Sequence, residues 1–317
     1  MRFEKNDLAC HGYIPDEVQA QSARKQGVTS DREQVLSKAV PWDDADIVPP
    51  VVEWNSLKER LEKGGEQADE STFWWENCDV EKLFTPSQGN APNCAGFAMA
   101  NAWLIQVLWQ IQKGFSEQKA EKINPMVTWQ LSKNGSRWGG QTISSIMRYG
   151  NELGNFPASV AGEYSSRQSF RSVNDKWKKL ASERQLAFSL YTGEKSDLAD
   201  FIIAAQKHHF AVVIGNGFAV ADGTTIDSNG VATVQISRTW SHATCFGGYQ
   251  KVNGTQYVFW VNSHGNRYPS DDGTPAFGGW MSRDALKQYC SSTFCDAAFL
   301  TYAEAPYNQG LTPTLTI

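Results

Sequence analysis

The stretch QGNAPNCAGFAMANAWLIQVLWQI, residues 88–111, decides the fold of this chain. Its first part is a turn-rich loop of Gly, Asn and Pro, and its second part is apolar and repeats at helical spacing up to Ile111. Gly114 follows and ends the run. Because apolar residues surround much of the helix circumference, we expect a largely buried helix that begins at Cys94.

Cys94 lies at the junction of the loop and this helix. A helix N-terminus is the positive end of the macrodipole, which favours the thiolate, and the thiolate is the nucleophilic form. Gln88, six residues earlier, carries an amide that can donate to a developing oxyanion, with the backbone N–H of Cys94 as the second donor. Taken alone, Cys94 is equally compatible with a structural cysteine at a helix start.

A hairpin is predicted in the second half of the chain. Two strand-like runs, 243–252 and 255–261, flank Asn253-Gly254, and Asn-Gly favours a type I′ turn because both central residues need a positive φ. His242 precedes the first strand and Asn262 follows the second, so the hairpin brings them close together. An amide beside an imidazole can fix its orientation and tautomer.

The register of this hairpin decides whether His242 and Asn262 share a face of the sheet. With a regular two-residue turn, Asn262 falls opposite Cys245, which places it on the wrong face. One extra residue in the first strand corrects the register, and Gly247-Gly248 is a suitable place for such a bulge. The predicted site therefore depends on a β-bulge.

Together these segments resemble the papain-like cysteine peptidases over roughly residues 73–303. Residues 88–98 look like the nucleophile segment of that family, including its Gln six residues upstream. The other matching segments are the His strand, the Asn turn and the Gly-Gly loop that lies along bound substrate: His242-Ala243 with Gly248-Tyr249, Asn262-Ser263 with Gly265, and Trp138-Gly139-Gly140.

The resemblance implies an α+β fold of two lobes, one helical with the Cys helix and one an antiparallel, β-barrel-like lobe with His and Asn. It implies a thiol hydrolase, most simply a cysteine peptidase, that forms an acyl-enzyme with a peptide or protein substrate. It requires no cofactor and no metal. The implied catalytic residues are Cys94, His242, Asn262 and Gln88, and the implied substrate-binding residues are Trp138, Gly139 and Gly140.

Three positions depart from the family pattern. Ala91 stands where a disulfide cysteine is usual, and Ala95 stands where an aromatic residue often follows the nucleophile. His264 replaces the Trp that usually shields the His–Asn hydrogen bond, so His264 is an alternative base. We favour His242 because it lies in the His-Ala strand context.

Residues 1–70, called the arm below, are rich in polar residues and Pro and are predicted to be an extended arm or pro-segment, with a short helix at 55–63. Residues 71–305 form the predicted papain-like domain and 306–317 a short tail. The arm either inhibits by filling the cleft or anchors the domain to other protein subunits. An alternative to the peptidase is therefore a papain-fold structural subunit of a larger assembly, and a related acyl-transfer enzyme is a third possibility.

The composition argues against a nucleic-acid-binding protein, a membrane-spanning protein and a disulfide-stabilised scaffold. A formal net charge of −5 over 317 residues argues against a nucleic-acid role that depends on neutralising phosphates. No apolar run is expected to reach the roughly 18 residues that span a bilayer, and no signal peptide is recognised, so we expect a cytoplasmic protein or part of a particle assembled in the cytoplasm. Six scattered cysteines do not form a disulfide framework, and Cys290 and Cys295 are expected to be reduced.

Overall fold

Helices dominate the first half of the chain and strands the second, which confirms the α+β class. This description comes from a computed structural model and covers residues 13–40, 51–63, 71–76, 78–114, 118–133 and 139–306. The helices are α1 (Asp16–Gln26), α2 (Asp31–Leu36), α3 (Trp54–Lys63), α4 (Val80–Leu83), α5 (Cys94–Gln112), α6 (Pro125–Leu131), α7 (Ile143–Glu152), α8 (Ala158–Ala161), α9 (Asp175–Ser182), α10 (Leu198–Lys207) and α11 (Arg283–Cys290).

Within the described residues, nine strands form one sheet. They are β1 (Ser71–Thr72), β2 (Leu186–Leu190), β3 (Val212–Val220), β4 (Thr225–Ile226), β5 (Ala232–Thr233), β6 (Ile236–Val252), β7 (Thr255–Val261), β8 (Gly278–Ser282) and β9 (Cys295–Ala303). The order is β2-β9-β3-β6-β7-β8-β5-β4, with β1 paired to β6. All pairings are antiparallel except the one between β5 and β8. Helix α5 packs on the central strands and joins the helical lobe to the sheet.

Helix α5 is the central element of the core, as the sequence predicts. It begins at Cys94, and 17 of its 19 residues are buried. Two of its buried polar residues bind strand ends: Gln106 bonds the carbonyl of His209 and the amide of Ala211, and Gln110 bonds both backbone groups of Ala303. Because these side chains pair backbone groups that would otherwise be buried without partners, they fix the helix along the sheet.

The hairpin of β6 and β7 has the predicted turn and the predicted bulge. Asn253 and Gly254 both have positive φ values, 48° and 83°. Pairing is regular from Val252↔Thr255 to Tyr249↔Val258, and the register then shifts by one residue between Tyr249 and Phe246. This shift confirms a bulge at Gly247-Gly248. It puts Asn262 in register with Thr244, two residues from His242, and therefore on the same face.

The bulge glycines lie against buried aromatic and aliphatic side chains. A Cβ atom on Gly247 would lie 2.7 Å from the Cδ1 atom of Ile105 on α5, and the indole N–H of Trp74 donates to the Gly247 carbonyl at 2.7 Å. Gly248 has a φ of 138°, and a Cβ atom there would lie 2.8 Å from the Cβ atom of Phe259. Gly247 therefore lets the sheet approach α5, and Gly248 lets β6 pack closely against Phe259.

The arm is not extended where the structure describes it, so that prediction is wrong for those residues. It contains α1, α2 and α3, and α3 confirms the predicted helix at 55–63. Trp54, Leu57 and Leu61 form an apolar stripe at helical spacing and are buried in the core. Residues 64–70 and 307–317 lie outside the described residues, so the domain boundary at 70 and the C-terminal tail stay predictions.

One helix of the described residues is long and apolar enough to cross a membrane by length and composition, and it is α5. The expectation that no stretch reaches this length is therefore wrong. Its 18-residue apolar window is 94% buried inside the protein, however, as is typical of the core helix of a folded domain.

We expect Gly248→Ala to destabilise the protein by about 2–4 kcal/mol, because it combines a positive φ with overpacking against Phe259. Gly254→Ala is the matched control, since it has a positive φ in the same hairpin but no atom within 4 Å of an added Cβ. It should cost only about 1 kcal/mol. Urea unfolding midpoints measure both, and equal losses would contradict a packing role for the bulge.

Candidate active site

Cys94 is the first residue of α5 and is completely buried. Its sulfur accepts a hydrogen bond from the backbone N–H of Ala243, on β6, at 3.3 Å. Burial raises the pKa of the Cys94 thiol to about 12, although this N–H and two others of the helix start lower it. The N–H groups of the helix start therefore favour the thiolate, but desolvation of the charged form is the larger effect and keeps the thiol protonated in this covered state.

His242 and Asn262 meet as the bulge requires. The Nε2 atom of His242 lies 2.8 Å from the Oδ1 atom of Asn262, and both side chains are buried. The amide nitrogen of Asn262 donates to the Tyr268 hydroxyl at 3.1 Å, and Oδ1 also accepts from the backbone of Ser263 at 2.8 Å. Since Oδ1 can only accept, this network assigns the proton to Nε2 of the neutral ring.

His264 stacks on His242. The ring centroids are 4.4 Å apart and the planes differ by 25°. The pKa of His264 is lowered to about 4, first by burial and then by the positive charge of Arg267, while Asp222 acts in the opposite direction. His264 is therefore neutral near pH 7, and its ring lies flat over the His242 ring.

Gln88 binds the Asn262 turn to the loop before Cys94. Its backbone N–H donates to the carbonyl of Ser263 at 2.7 Å, and its side-chain oxygen accepts from the Ser263 hydroxyl at 2.5 Å. The side-chain nitrogen donates to the Ala91 carbonyl at 2.8 Å. The structure thus brings Gln88 to the same site as the other three residues, through hydrogen bonds that no sequence pattern indicates.

The predicted substrate loop is described in part. Gly139 has a φ of 79°, and its carbonyl accepts from the Lys133 ammonium at 2.5 Å. Trp138 lies outside the described residues. Gln141, directly after Gly140, forms a parallel bridge with Tyr13 of the arm. The arm therefore runs beside the loop at which substrate was predicted to bind.

Tyr13 enters between the lobes and is completely buried. Its ring lies against Gly215 of β3, where an added Cβ would be 2.1 Å from a ring carbon. Gly215 is the cross-strand partner of Ala243, the residue whose N–H contacts the Cys94 sulfur. The Tyr13 hydroxyl donates to Asp296 of β9 at 2.5 Å. Sequence reasoning missed Tyr13 and Asp296, because neither lies in a motif.

A cleft of about 640 Å³ opens on the other side of the site. It is lined by the loop 87–92, residues 219–222, Ser237, His264 and Arg267. One half of the groove between the lobes is therefore open beside Gln88 and His264, and the other half holds Tyr13. None of the five cysteines of the described residues, Cys290 and Cys295 included, is in a disulfide bond. Within the described ranges, no cluster of His, Cys, Asp or Glu could hold a metal ion.

The chain resembles known proteins in structure but not in sequence. No family model matches the sequence, and no curated protein matches it. Xylellain, a cysteine protease from Xylella fastidiosa, is 13% identical with a TM-score of 0.56, and the match covers 95% of this chain and 99% of that one. Procathepsin L 3 of Tenebrio molitor is 15% identical with a TM-score of 0.51, covering 91% and 87%.

A third solved structure agrees with these two. ProCathepsin B S9 from Trypanosoma congolense is 13% identical with a TM-score of 0.50, covering 93% of this chain and 99% of that one. Identities this low establish a shared fold and no more. The chain therefore has the two-lobed papain-like fold of these cysteine proteases, with a divergent sequence.

Proposed function

We propose that this protein is a cysteine peptidase in which Cys94 is the nucleophile and His242 its base. The hydrogen bond between His242 and Asn262, next to the strand that contacts the Cys94 sulfur, is the observation that carries the proposal. A domain used only as a structural subunit has no need of a buried Cys, His, Asn and Gln at one site. The substrate would be a peptide or protein.

The reaction is acyl transfer. His242 takes the proton of Cys94 through Nδ1, since Nε2 is engaged with Asn262. The thiolate adds to the substrate carbonyl, and the oxyanion accepts from the Cys94 backbone N–H and from Gln88, whose amide nitrogen carries a second N–H besides the one bonded to Ala91. The imidazolium protonates the leaving amine, and water then hydrolyses the thioester.

The described chain corresponds to a latent form in this proposal. Tyr13 fills one half of the groove, and Cys94 is completely buried with a pKa near 12. Removal of Tyr13 from the groove would rehydrate the sulfur and lower its pKa, so that His242 could deprotonate it. This supports the inhibitory role of the arm over an anchoring role.

We expect iodoacetamide at pH 6 to label Cys94 faster than Cys245, and Tyr13→Ala to increase the rate at Cys94. Cys245 is the matched control, because it is as completely buried on β6, and burial raises its pKa in the same way. His242→Ala in the Tyr13→Ala chain should remove the difference, since the thiol then lacks its base. Peptide mapping by mass spectrometry measures the rates, and equal labelling of the two cysteines would contradict the proposal.

Hydrolysis of a fluorogenic peptide library distinguishes the two candidate bases. His242→Ala should lower kcat/KM by about 10²-fold or more, as expected for loss of a general base. His264→Phe keeps a flat ring over His242 and should change kcat/KM less than about tenfold. The acid limb of the pH profile should stay in place in His264→Phe, because His264 titrates near pH 4. A displaced limb in this variant would assign the base to His264 instead.

A further inference from the structure

Cys290 and Cys295 form a pair of thiols that the proposed peptidase reaction does not use. Cys290 is the last residue of α11 and Cys295 is the first residue of β9, so a short loop, 291–294, separates them. Their side chains are joined by a hydrogen bond between the two thiols. This bond, and then burial, raises the pKa of Cys290 well above its usual range, which identifies Cys290 as the donor and the Cys295 sulfur as the acceptor.

The loop between the two cysteines is held by hydrogen bonds from two other elements. The backbone N–H of Gly217, on β3, donates to the Ser292 hydroxyl at 3.0 Å and to the Phe294 carbonyl at 3.1 Å. The Lys195 ammonium donates to the carbonyls of Ser292 and Thr293, each at 2.9 Å. Because the strand and the lysine both bind this loop, the two thiols are kept in contact.

Asn216 connects the thiol pair to the sheet. Its amide nitrogen donates to the carbonyl of Tyr289, the residue before Cys290, at 2.8 Å and to the Cys295 sulfur at 3.5 Å. The Cys295 sulfur therefore accepts from two donors, whereas the Cys290 thiol is itself a donor and keeps its proton. Cys295 is also half-buried, while Cys290 is only 2% exposed. Cys295 is therefore the thiol that would react first.

A small cationic pocket opens beside the pair. Its volume is about 240 Å³, and it is lined by Lys195, Ser196, Ala199, Lys287, Cys290 and Ser291. None of these six residues is acidic. The hydrogen bonds of Lys195 are to neutral carbonyls, and Lys287 lies 3.9 Å from Asp200, at a distance where an exposed pair contributes little. The pocket therefore favours a small anion next to the thiols.

We propose that Cys290 and Cys295 are a dithiol modification site, which a small anionic disulfide of the glutathione type oxidises to an intramolecular disulfide bond. The lysines of the pocket would bind the carboxylates of this reagent. The new bond would tie the end of α11 covalently to the start of β9. The site is independent of the proposed peptidase, because it uses neither Cys94 nor His242.

The reaction consists of two thiol–disulfide exchanges. The Cys295 sulfur attacks the reagent and forms a mixed disulfide, and the first reagent thiol leaves with the proton of Cys295. The Cys290 sulfur then attacks the Cys295 sulfur and forms the bond between the two cysteines. The second reagent thiol leaves with the proton of Cys290. The protein is thus oxidised by two electrons, and the disulfide of the reagent is reduced to two thiols.

Oxidised glutathione tests the site in the full chain. The remaining thiols are alkylated after each reaction time, and peptide mapping by mass spectrometry follows every cysteine. We expect the Cys290–Cys295 disulfide to form at least about tenfold faster than any modification of Cys245. Cys245 is the matched control, because it is completely buried and burial raises its pKa as well.

Cys290→Ser is the decisive variant. It lacks the thiol that resolves the mixed disulfide, so Cys295 should retain one glutathione. Cys295→Ser should leave Cys290 without glutathione under the same conditions, because the buried thiol has lost the partner that reacts first. Serine keeps a hydrogen-bonding group at either position, and the opposite results expected of the two variants guard against a folding defect in one of them.

Lys195→Gln tests the pocket. Glutamine keeps a donor but loses the charge, so reaction with oxidised glutathione should slow by about threefold or more. Reaction with neutral 2-hydroxyethyl disulfide should keep its wild-type rate in this variant, which separates the loss of charge from a change in the loop. Lys251→Gln is the matched control, because Lys251 is an exposed lysine of β6 outside the pocket, and it should behave as wild type.

The oxidised chain should also be more stable to heat. Closing a loop of this size restricts the unfolded chain, so the Tm of the oxidised wild type should exceed that of the reduced wild type by about 3–5 °C. The Tm of Cys290→Ser, which cannot form the bond, should not rise after the same treatment. A wild-type Tm that oxidation leaves unchanged would contradict the stabilising effect of the bond.

Two results would overturn the modification site: a glutathione that persists on Cys295 of the wild type, or oxidation of the pair that is no faster than modification of Cys245. A Lys195→Gln chain that reacts with both reagents at the wild-type rates would overturn the role of the pocket. None of these measurements requires peptide hydrolysis. Failure of the proposed peptidase would therefore leave their expected results unchanged.

Discussion

The close contact between the β6 bulge and helix α5 is the constraint on which the site depends. Gly247 lies so close to Ile105 of α5 that a Cβ atom on this glycine would collide with it. The indole N–H of Trp74 donates to the carbonyl of the same glycine. The bulge therefore fixes the depth at which the sheet meets the helix. It also shifts the register of β7 by one residue, which turns Asn262 toward His242. A single irregularity thus positions both halves of the candidate triad.

Burial at this contact stabilises the His242–Asn262 pair but destabilises the Cys94 thiolate. A dry environment strengthens the His242–Asn262 hydrogen bond and holds the ring in one orientation. The same environment penalises the Cys94 thiolate, and the three backbone N–H groups that point at the sulfur do not offset this. Burial therefore keeps the thiol protonated, as the proposed latent form requires. Access of water and substrate, more than the identity of the triad, would control reactivity.

Hydrogen bonds of polar side chains specify contacts between elements that apolar packing alone cannot specify. Gln106 and Gln110 of α5 bind strand ends, and Gln88 with Ser263 joins the two loops of the site. Asp296 holds the arm in the same way, through two donors on one oxygen. Gln88, Gln106, Gln110 and Ser263 are buried, so loss of a partner would leave an unsatisfied group there and cost about 1–3 kcal/mol, whereas Asp296 is half-buried. This gives the groove a defined geometry.

The sequence by itself determined the local elements: the buried helix from Cys94, the Asn253-Gly254 hairpin and the need for a bulge at Gly247-Gly248. These depend on periodicity and turn chemistry, which act between neighbours in the chain. Only the tertiary structure decided that Cys94 is neutral, that α3 belongs to the core, and that the Tyr13 hydroxyl donates to Asp296, some 280 residues away. Desolvation and long-range hydrogen bonds depend on which segments meet in space, and no local pattern encodes that meeting.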